Sequence, residues 1–229
     1  QLGNIQTDTL RHGTFGDEIV LTGTLNFDQT KTFSVSSRVM GRIEKLYYKN
    51  IGDYVRAGTP LYAIYSEDLN NARQEYLSLL DRKEDFADGT VIDFDRLIQS
   101  GKNKLLLWGM TENQIQELAE NKKVTPLTSY YSPKSGYITE MQIREGDYVM
   151  EGGNIMKLAD LSTLWAEVQV YASQLSEIDR NSTAMVSFPD YNGQEIKGKL
   201  EFVNPEINPD TRINLIRVTI PNSGNHLKP

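Results

Sequence analysis

Apolar and polar positions along this chain change period several times. Alternation with a period of two, the mark of a half-buried strand, runs through Asp17–Thr24 and Lys31–Val35. It returns where Leu164, Ala166, Val168 and Val170 are set against Trp165, Glu167, Gln169 and Tyr171. Residues 66–128 switch to a spacing of three and four. Leu69, Ala72, Tyr76, Leu79 and Leu80 predict an amphipathic helix over Ser66–Phe86, stopped by Asp88-Gly89. A second helix is predicted over Asp93–Trp108, with Leu97, Ile98, Leu105 and Leu106 on its stripe, a weak point at Gly101 and a stop at Gly109. Each would run roughly 25 to 30 Å. Thr111-Glu112-Asn113-Gln114 has the form of a capping box and opens a short third helix through Ile115, Leu118 and Ala119, and Pro126 ends the section. Further on, Ala172–Asp179 reads as one short helix, and Met185–Phe188 and Glu195–Phe202 as strands joined through Pro189-Asp190-Tyr191-Asn192-Gly193. Pro209-Asp210-Thr211-Arg212 is a turn, followed by a strand with Asn214, Ile216, Val218 and Ile220 on one face.

Two segments about 95 positions apart repeat one order of punctuating residues. The first contains Ser36-Ser37-Arg38-Val39-Met40-Gly41-Arg42-Ile43, Gly52-Asp53-Tyr54-Val55, Gly58-Thr59-Pro60-Leu61 and Ile64. The second contains Ser132-Pro133-Lys134-Ser135-Gly136-Tyr137-Ile138, Gly146-Asp147-Tyr148-Val149, Gly152-Gly153-Asn154-Ile155 and Leu158. Each copy thus predicts three short strands separated by glycine turns. A piece of that size cannot bury its own apolar face. Two copies packed face to face can, which predicts a small β-sandwich with pseudo-twofold symmetry. Strands on both sides of the pair predict a small antiparallel barrel closed by segments remote in sequence.

Composition narrows the chemistry. The 229 residues carry 24 Lys and Arg against 31 Asp and Glu, a net charge of −7, which disfavours nucleic acid as a partner. Cysteine is absent, which excludes disulfides and thiol nucleophiles, and the two histidines, His12 and His226, lie near the ends. Neither a run of about eighteen apolar residues nor a signal segment at Gln1 is present, so the chain reads as soluble as given. A cleaved signal or anchor is compatible with that start. The end at His226-Leu227-Lys228-Pro229 reads as a cut inside a domain.

The ordered motifs resemble the periplasmic adaptor, or membrane fusion, proteins of bacterial RND-type efflux systems, in the HlyD-like family and within it the CusB-like adaptors of cation exporters. The resemblance rests on Gly41-Arg42-Ile43, Gly52-Asp53-Tyr54-Val55, Gly58-Thr59-Pro60-Leu61, Glu75-Tyr76-Leu77, Leu107-Trp108-Gly109-Met110-Thr111-Glu112, Ser132 to Ile138, Leu164-Trp165 and Asn208-Pro209-Asp210-Thr211-Arg212. It covers about residues 17–229. It implies a mainly β, elongated multi-domain chain with an α-helical hairpin insert. The implied parts are a partial membrane-proximal segment at 1–24, an antiparallel β-barrel from 25–35 and 159–229, a split lipoyl-like β-sandwich from 36–65 and 129–158, and a helical arm at 66–128. It further implies a non-enzymatic periplasmic bridge between an inner-membrane RND transporter and an outer-membrane channel. Self-association into a ring and attachment to the inner membrane through a missing N-terminal anchor or through partners are part of the same implication.

Candidate sites follow from these readings. The loop Ala87-Asp88-Gly89-Thr90 at the end of the first helix has no core to serve and is the expected partner contact. No catalytic, cofactor or metal site is assigned. Asp53 and Asp147 each follow a turn glycine, which accounts for them without acid–base chemistry. Met40, Met110, Met141, Met150, Met156 and Met185 are scattered; only Met40 and Met141, which follow or precede equivalent strands of the two repeats, are candidates to approach one another, and gap-filling is their expected role. Arg38, Arg42, Lys45 and Lys49 form at most a solvated basic face. Two rival functions remain, a metal-delivering periplasmic binding protein and a biotinyl or lipoyl carrier. The carrier reading lacks its modifiable lysine, because helices replace the tight turn after Ile64-Tyr65-Ser66.

Overall fold

A computed structural model describes residues 20–85, 93–171, 173–174, 178, 183–191, 193–203 and 213–229. The described chain is mainly β. In order it forms β1 (Gly23–Phe27), β2 (Thr32–Ser36), β3 (Gly41–Leu46), β4 (Tyr54–Val55), β5 (Pro60–Tyr65), α1 (Glu67–Asp85), α2 (Phe94–Leu107), α3 (Glu112–Asn121), β6 (Leu127–Tyr131), β7 (Gly136–Met141), β8 (Tyr148–Val149), β9 (Asn154–Ala159), β10 (Thr163–Tyr171), β11 (Thr183–Phe188), β12 (Gln194–Val203) and β13 (Ile213–Pro221). These fall into two compact units. Among the described residues, one unit holds 20–24 and those of 166–218, and the other holds 25–165 and 219–229.

The larger unit contains two four-stranded sheets, ordered β2-β9-β7-β4 and β6-β5-β3-β8. Replacing each strand of one sheet by its counterpart in the other repeat reproduces the other sheet, so the pseudo-twofold is real. Its form differs from two three-stranded copies laid face to face. Each copy has four strands, β2–β5 and β6–β9, and the copies exchange members: β4 pairs with β7 at Tyr54↔Tyr137, and β8 pairs with β3 at Arg42↔Tyr148. Alternation of side chains fixes which face a strand buries and leaves its partner open, so a pattern reading does not separate exchange from simple stacking.

Matching hydrogen bonds hold the exchange. Gly52 N donates to Ile138 O at 2.8 Å, and Gly146 N donates to Ile43 O at 2.7 Å. Ile138 N donates to Asp53 O at 3.0 Å, and Ile43 N donates to Asp147 O at 2.9 Å. Farther along, Gly58 N donates to Ser132 O and Gly152 N to Ser37 O, both at 2.8 Å. Gly52 and Gly146 make these turns at φ +92° and +94°, in the left-handed region that a Cβ disfavours. Ile43, Ile64, Val55, Ile138, Ile155 and Leu158 fill the space between the sheets and are all buried.

The helices extend this core rather than forming a separate one. Leu69, Ala72, Tyr76 and Leu77 of α1, Leu105 of α2, and Ile115 and Leu118 of α3 belong to the same buried cluster as the sandwich residues. All three predicted helices are present. Thr111 forms a complete capping box with Gln114, and α2 runs unbroken through Gly101, where the missing side chain admits the Tyr76 ring. Glu75 pairs with Lys104 at 3.6 Å and Lys83 pairs with Asp95 between the antiparallel α1 and α2.

The five-stranded sheet is ordered β1-β10-β13-β12-β11. Asn214, Ile216, Val218 and Ile220 share the buried face of β13 as expected. Two local expectations are corrected. Residues 32–35 are expected in the barrel as part of the 25–35 segment, yet together with Ser36 they are hydrogen-bonded to β9 in the sandwich, because each repeat needs a fourth strand to cover its sheet edge. Trp165 was expected on the polar face of its strand but is buried. The short helix expected at Ala172–Asp179 and the turn at Pro209–Arg212 lie outside the described residues, apart from residues 173–174 and 178.

The symmetry makes a quantitative prediction. No atom lies within 4 Å of a Cβ built on Gly52 or Gly146, so an alanine there meets only backbone strain. Gly52→Ala and Gly146→Ala should each lower the unfolding free energy in urea by about 1 to 2 kcal/mol, with the two values equal within error. A cost at one position alone would contradict the equivalence of the turns.

Candidate functional site

The element that organises the helices is β6, the edge strand of its sheet. Its backbone and side chains receive all three. From α1, Asn70 Nδ2 donates to the Pro126 carbonyl at 3.2 Å, just before the strand. Arg73 Nη1 donates to Thr128 Oγ1 at 2.6 Å, and Nη2 donates to the Thr125 carbonyl. At the end of α2, the Trp108 carbonyl accepts from Tyr130 Oη at 2.7 Å. From α3, Gln114 Nε2 donates to the Ser129 carbonyl at 2.9 Å while its Oε1 closes the capping box on Thr111 N, also at 2.9 Å. Thr125 Oγ1 donates to the Leu127 carbonyl at 3.2 Å. Two outward carbonyls of the edge are thereby occupied, which blunts it against pairing with another strand.

Behind this edge, Tyr130 stacks on Tyr62 of β5 with ring centroids 5.0 Å apart and planes 4° from parallel. Burial pushes both phenols well above their ordinary pKa, so both stay neutral and Tyr130 stays a donor. At the opposite end of α3, Lys122 Nζ reaches Asp81 at 2.9 Å and Glu84 at 2.7 Å on α1, and these two bonds raise its pKa. The helices are therefore tied to the strand at one end and to one another near the other.

The residues singled out from sequence distribute as follows. The expected partner contact at Ala87, Asp88, Gly89 and Thr90 lies outside the described residues, as does His12. Asp53 Oδ2 accepts from Asn50 N at 3.3 Å, and Asp147 Oδ2 accepts from Arg144 N at 2.8 Å, so both carboxylates close turns. Met40 and Met141 do not meet. Met141 is paired with Met156 across β7 and β9, and Met40 is exposed immediately before β3. Of the basic residues near Arg42, Arg42 pairs with Glu44 at 2.5 Å and Lys49 with Glu145 at 2.9 Å, while Lys45 sits 4.6 Å over the Tyr47 ring. Among the described residues no three His, Asp or Glu side chains stand close enough to hold a metal ion. The residues that do the structural work here, Arg73, Tyr130 and Gln114 in its second role, were not anticipated. Arg73 was detectable in principle, because it interrupts the apolar stripe of α1 between Ala72 and Tyr76.

A sandwich of two interlaced repeats, opened between β5 and β6 to admit helices and followed by an antiparallel sheet, defines a barrel-sandwich hybrid fold. Residues 32–159 match the model for "CusB, barrel-sandwich hybrid domain", and residues 163–229 match "CusB-like, beta-barrel domain". The chain belongs to the CusB-like family of membrane fusion proteins, the periplasmic adaptors of RND-type efflux systems. It is 26% identical over 220 residues to the putative membrane fusion protein SilB of Salmonella typhimurium, covering 92% of this chain and 49% of that protein. It is 23% identical over 225 residues to the cation efflux system protein CusB of Escherichia coli K12, covering 98% of this chain and 53% of that protein. The chain thus spans about half the length of the curated relatives it matches. Among solved structures, ZneB from Cupriavidus metallidurans shares the fold with a TM-score of 0.59 at 22% identity, over 91% of this chain and 93% of that one. Among the described residues, no helix is long and apolar enough to cross a membrane.

Tyr130 offers a direct test of the anchoring strand. Tyr130→Phe removes the bond to Trp108 and leaves that carbonyl without its donor, and it should cost about 1 kcal/mol in chemical unfolding. Tyr131→Phe on the exposed next residue should change stability by less than about 0.5 kcal/mol. Equal effects would show that the helices are not held through this bond.

Proposed function

We propose that the chain is the adaptor subunit of an export assembly, a non-enzymatic periplasmic bridge between an inner-membrane RND transporter and an outer-membrane channel. One observation carries the reading. The helical insertion leaves the sandwich from β5 and returns on β6, and these strands are hydrogen-bonded neighbours from Pro60↔Tyr131 to Tyr65↔Leu127. Chain that exits and re-enters at one sheet edge stands out from it as an arm. At 1.5 Å per residue, the 19 residues of α1 reach roughly 28 Å. Residues 66–128 are that arm, and 36–65 with 129–158, joined by β2, form the lipoyl-like sandwich. Residues 160–229 with 23–31 belong to the barrel, and the membrane-proximal segment expected at 1–24 is confined to the residues before β1.

In this reading the work of the chain is geometric. The core shared by helices and sandwich holds docking surfaces at fixed separation, with the channel-side contact at Ala87, Asp88, Gly89 and Thr90. Several protomers in a ring make modest contacts add up through effective concentration. Relatives named for cation efflux and for cobalt-zinc-cadmium resistance support cations as the exported class; a relative named for macrolide export keeps drugs as the second reading. The protein acts in the periplasm of a Gram-negative cell, attached to the inner membrane by an anchor or by its partners.

Crosslinking in intact cell envelopes, followed by affinity capture and mass spectrometry, should recover both a large inner-membrane transporter and an outer-membrane channel. Recovery of neither would overturn the assignment.

A further inference from the structure

The cleft between α3 and β6 is lined by a buried cation, Arg73, that has no counter-charge among the described residues. Its volume is about 230 Å³, and its polar walls come from Arg73, Gln114, Glu117, Asn121, Lys123 and Thr128. Arg73 is only 3% exposed. A guanidinium carries five N–H donors, and the structure uses two of them, on Thr128 Oγ1 and the Thr125 carbonyl, both neutral acceptors. Nε is buried and has no acceptor among the described residues. Among the described residues, no carboxylate forms an ion pair with Arg73. Buried cations in proteins are almost always paired, because desolvation costs more than neutral hydrogen bonds return. Burial also holds the pKa of Arg73 below the usual guanidinium range.

The rest of the lining agrees with that imbalance. Lys123 is exposed at the same cleft and likewise makes no ion pair among the described residues. Met110 and Leu118 supply an apolar wall. Glu117 is the one acidic side chain of the lining; it is exposed and pairs with neither Arg73 nor Lys123.

We propose that this cleft binds a small carboxylate, with the Arg73 guanidinium as its buried charge partner and Lys123 as a second cation at the mouth. A planar carboxylate fits the fork of a guanidinium, and charge-assisted bonds of this kind are about twice as strong as neutral ones. The volume limits the ligand to a short mono- or dicarboxylic acid, since it lies below the roughly 300 Å³ at which drug-sized sites begin. Because the walls come from α1, α3 and β6 together, occupancy closes the joint between helices and sandwich. A ligand that binds only the folded chain raises its stability by mass action.

The test uses the full chain, titrated with sodium acetate and sodium succinate at constant ionic strength and followed by proton–nitrogen correlation NMR. Chloride and inorganic phosphate serve as comparison anions. The expected result is saturable shifts at the Arg73 side chain and the amides of residues 123–129, with a rise in Tm that chloride does not reproduce. Two exposed variants leave the fold intact and should move the affinity in opposite directions. Lys123→Ala should weaken carboxylate binding about three-fold, and Glu117→Gln should tighten it by a similar factor, as expected for charges partly screened by water. Arg73→Met should abolish binding; if that variant unfolds, the exposed pair decides the matter. Shifts that track ionic strength without saturating, affinity indifferent to both exposed variants, or saturation by phosphate alone would each overturn the proposal.

Discussion

The structure depends on one constraint: neither repeat can complete a sheet by itself. A three-strand piece of this length leaves both faces and both edges open, and its apolar residues would contact water. Exchange solves the problem in one step. β4 and β8 cross to the opposite repeat, each held by backbone bonds at a Gly-Asp turn, and β6 and β2 then close the outer edges. Ile43 and Ile138, which occupy equivalent positions, are 0% and 1% exposed as a result. Full burial of such a side chain contributes about 1.5 to 3 kcal/mol. The sandwich is therefore cooperative across a long sequence separation, and the intervening segment can vary in length so long as its two ends meet at neighbouring strands.

That freedom is what the helical insertion uses. It begins where β5 ends and finishes where β6 begins, so its two ends are already held together by the ladder between those strands. Little loop-closure entropy is left for the insertion itself to overcome. The anchoring bonds then converge on β6 from three helices, and the shared apolar cluster runs from Leu158 between the sheets to Ile115 on α3. The root of the helical insertion is a continuation of the core, as the proposed adaptor role requires.

Much of this was legible in the residues, and the boundary of legibility has a physical cause. The helices, their capping box and the Gly-Asp turns are local features, specified by periodicity and by φ angles that only certain residues adopt. Gly52 and Gly146 have the same torsions and donate to equivalent carbonyls. Even the mismatch between the repeats has a local trace: one residue more separates Ile43 from Gly52 than Ile138 from Gly146. In the longer of the two segments, before Gly52, Glu145 reaches across to accept from Leu46 N at 2.9 Å and to pair with Lys49. What sequence did not reveal was partner choice. Period-two alternation says nothing about which strand lies alongside, so the exchange and the membership of β2 in the sandwich emerged only in three dimensions. The same holds for Arg73, whose acceptors Thr125 and Thr128 lie over fifty residues away.

Strand exchange can be measured directly, because the chain has no cysteine. Arg42→Cys combined with Tyr148→Cys places two thiols at directly opposed positions of β3 and β8, a geometry that a disulfide accepts. Mild oxidation should crosslink that pair quantitatively, read as a two-dalton loss in intact mass and faster migration without reductant. Arg42→Cys combined with Tyr54→Cys, both within the first repeat, should remain reduced. Crosslinking of the second pair and not the first would mean that each repeat folds on itself, and the interlaced sandwich would be wrong.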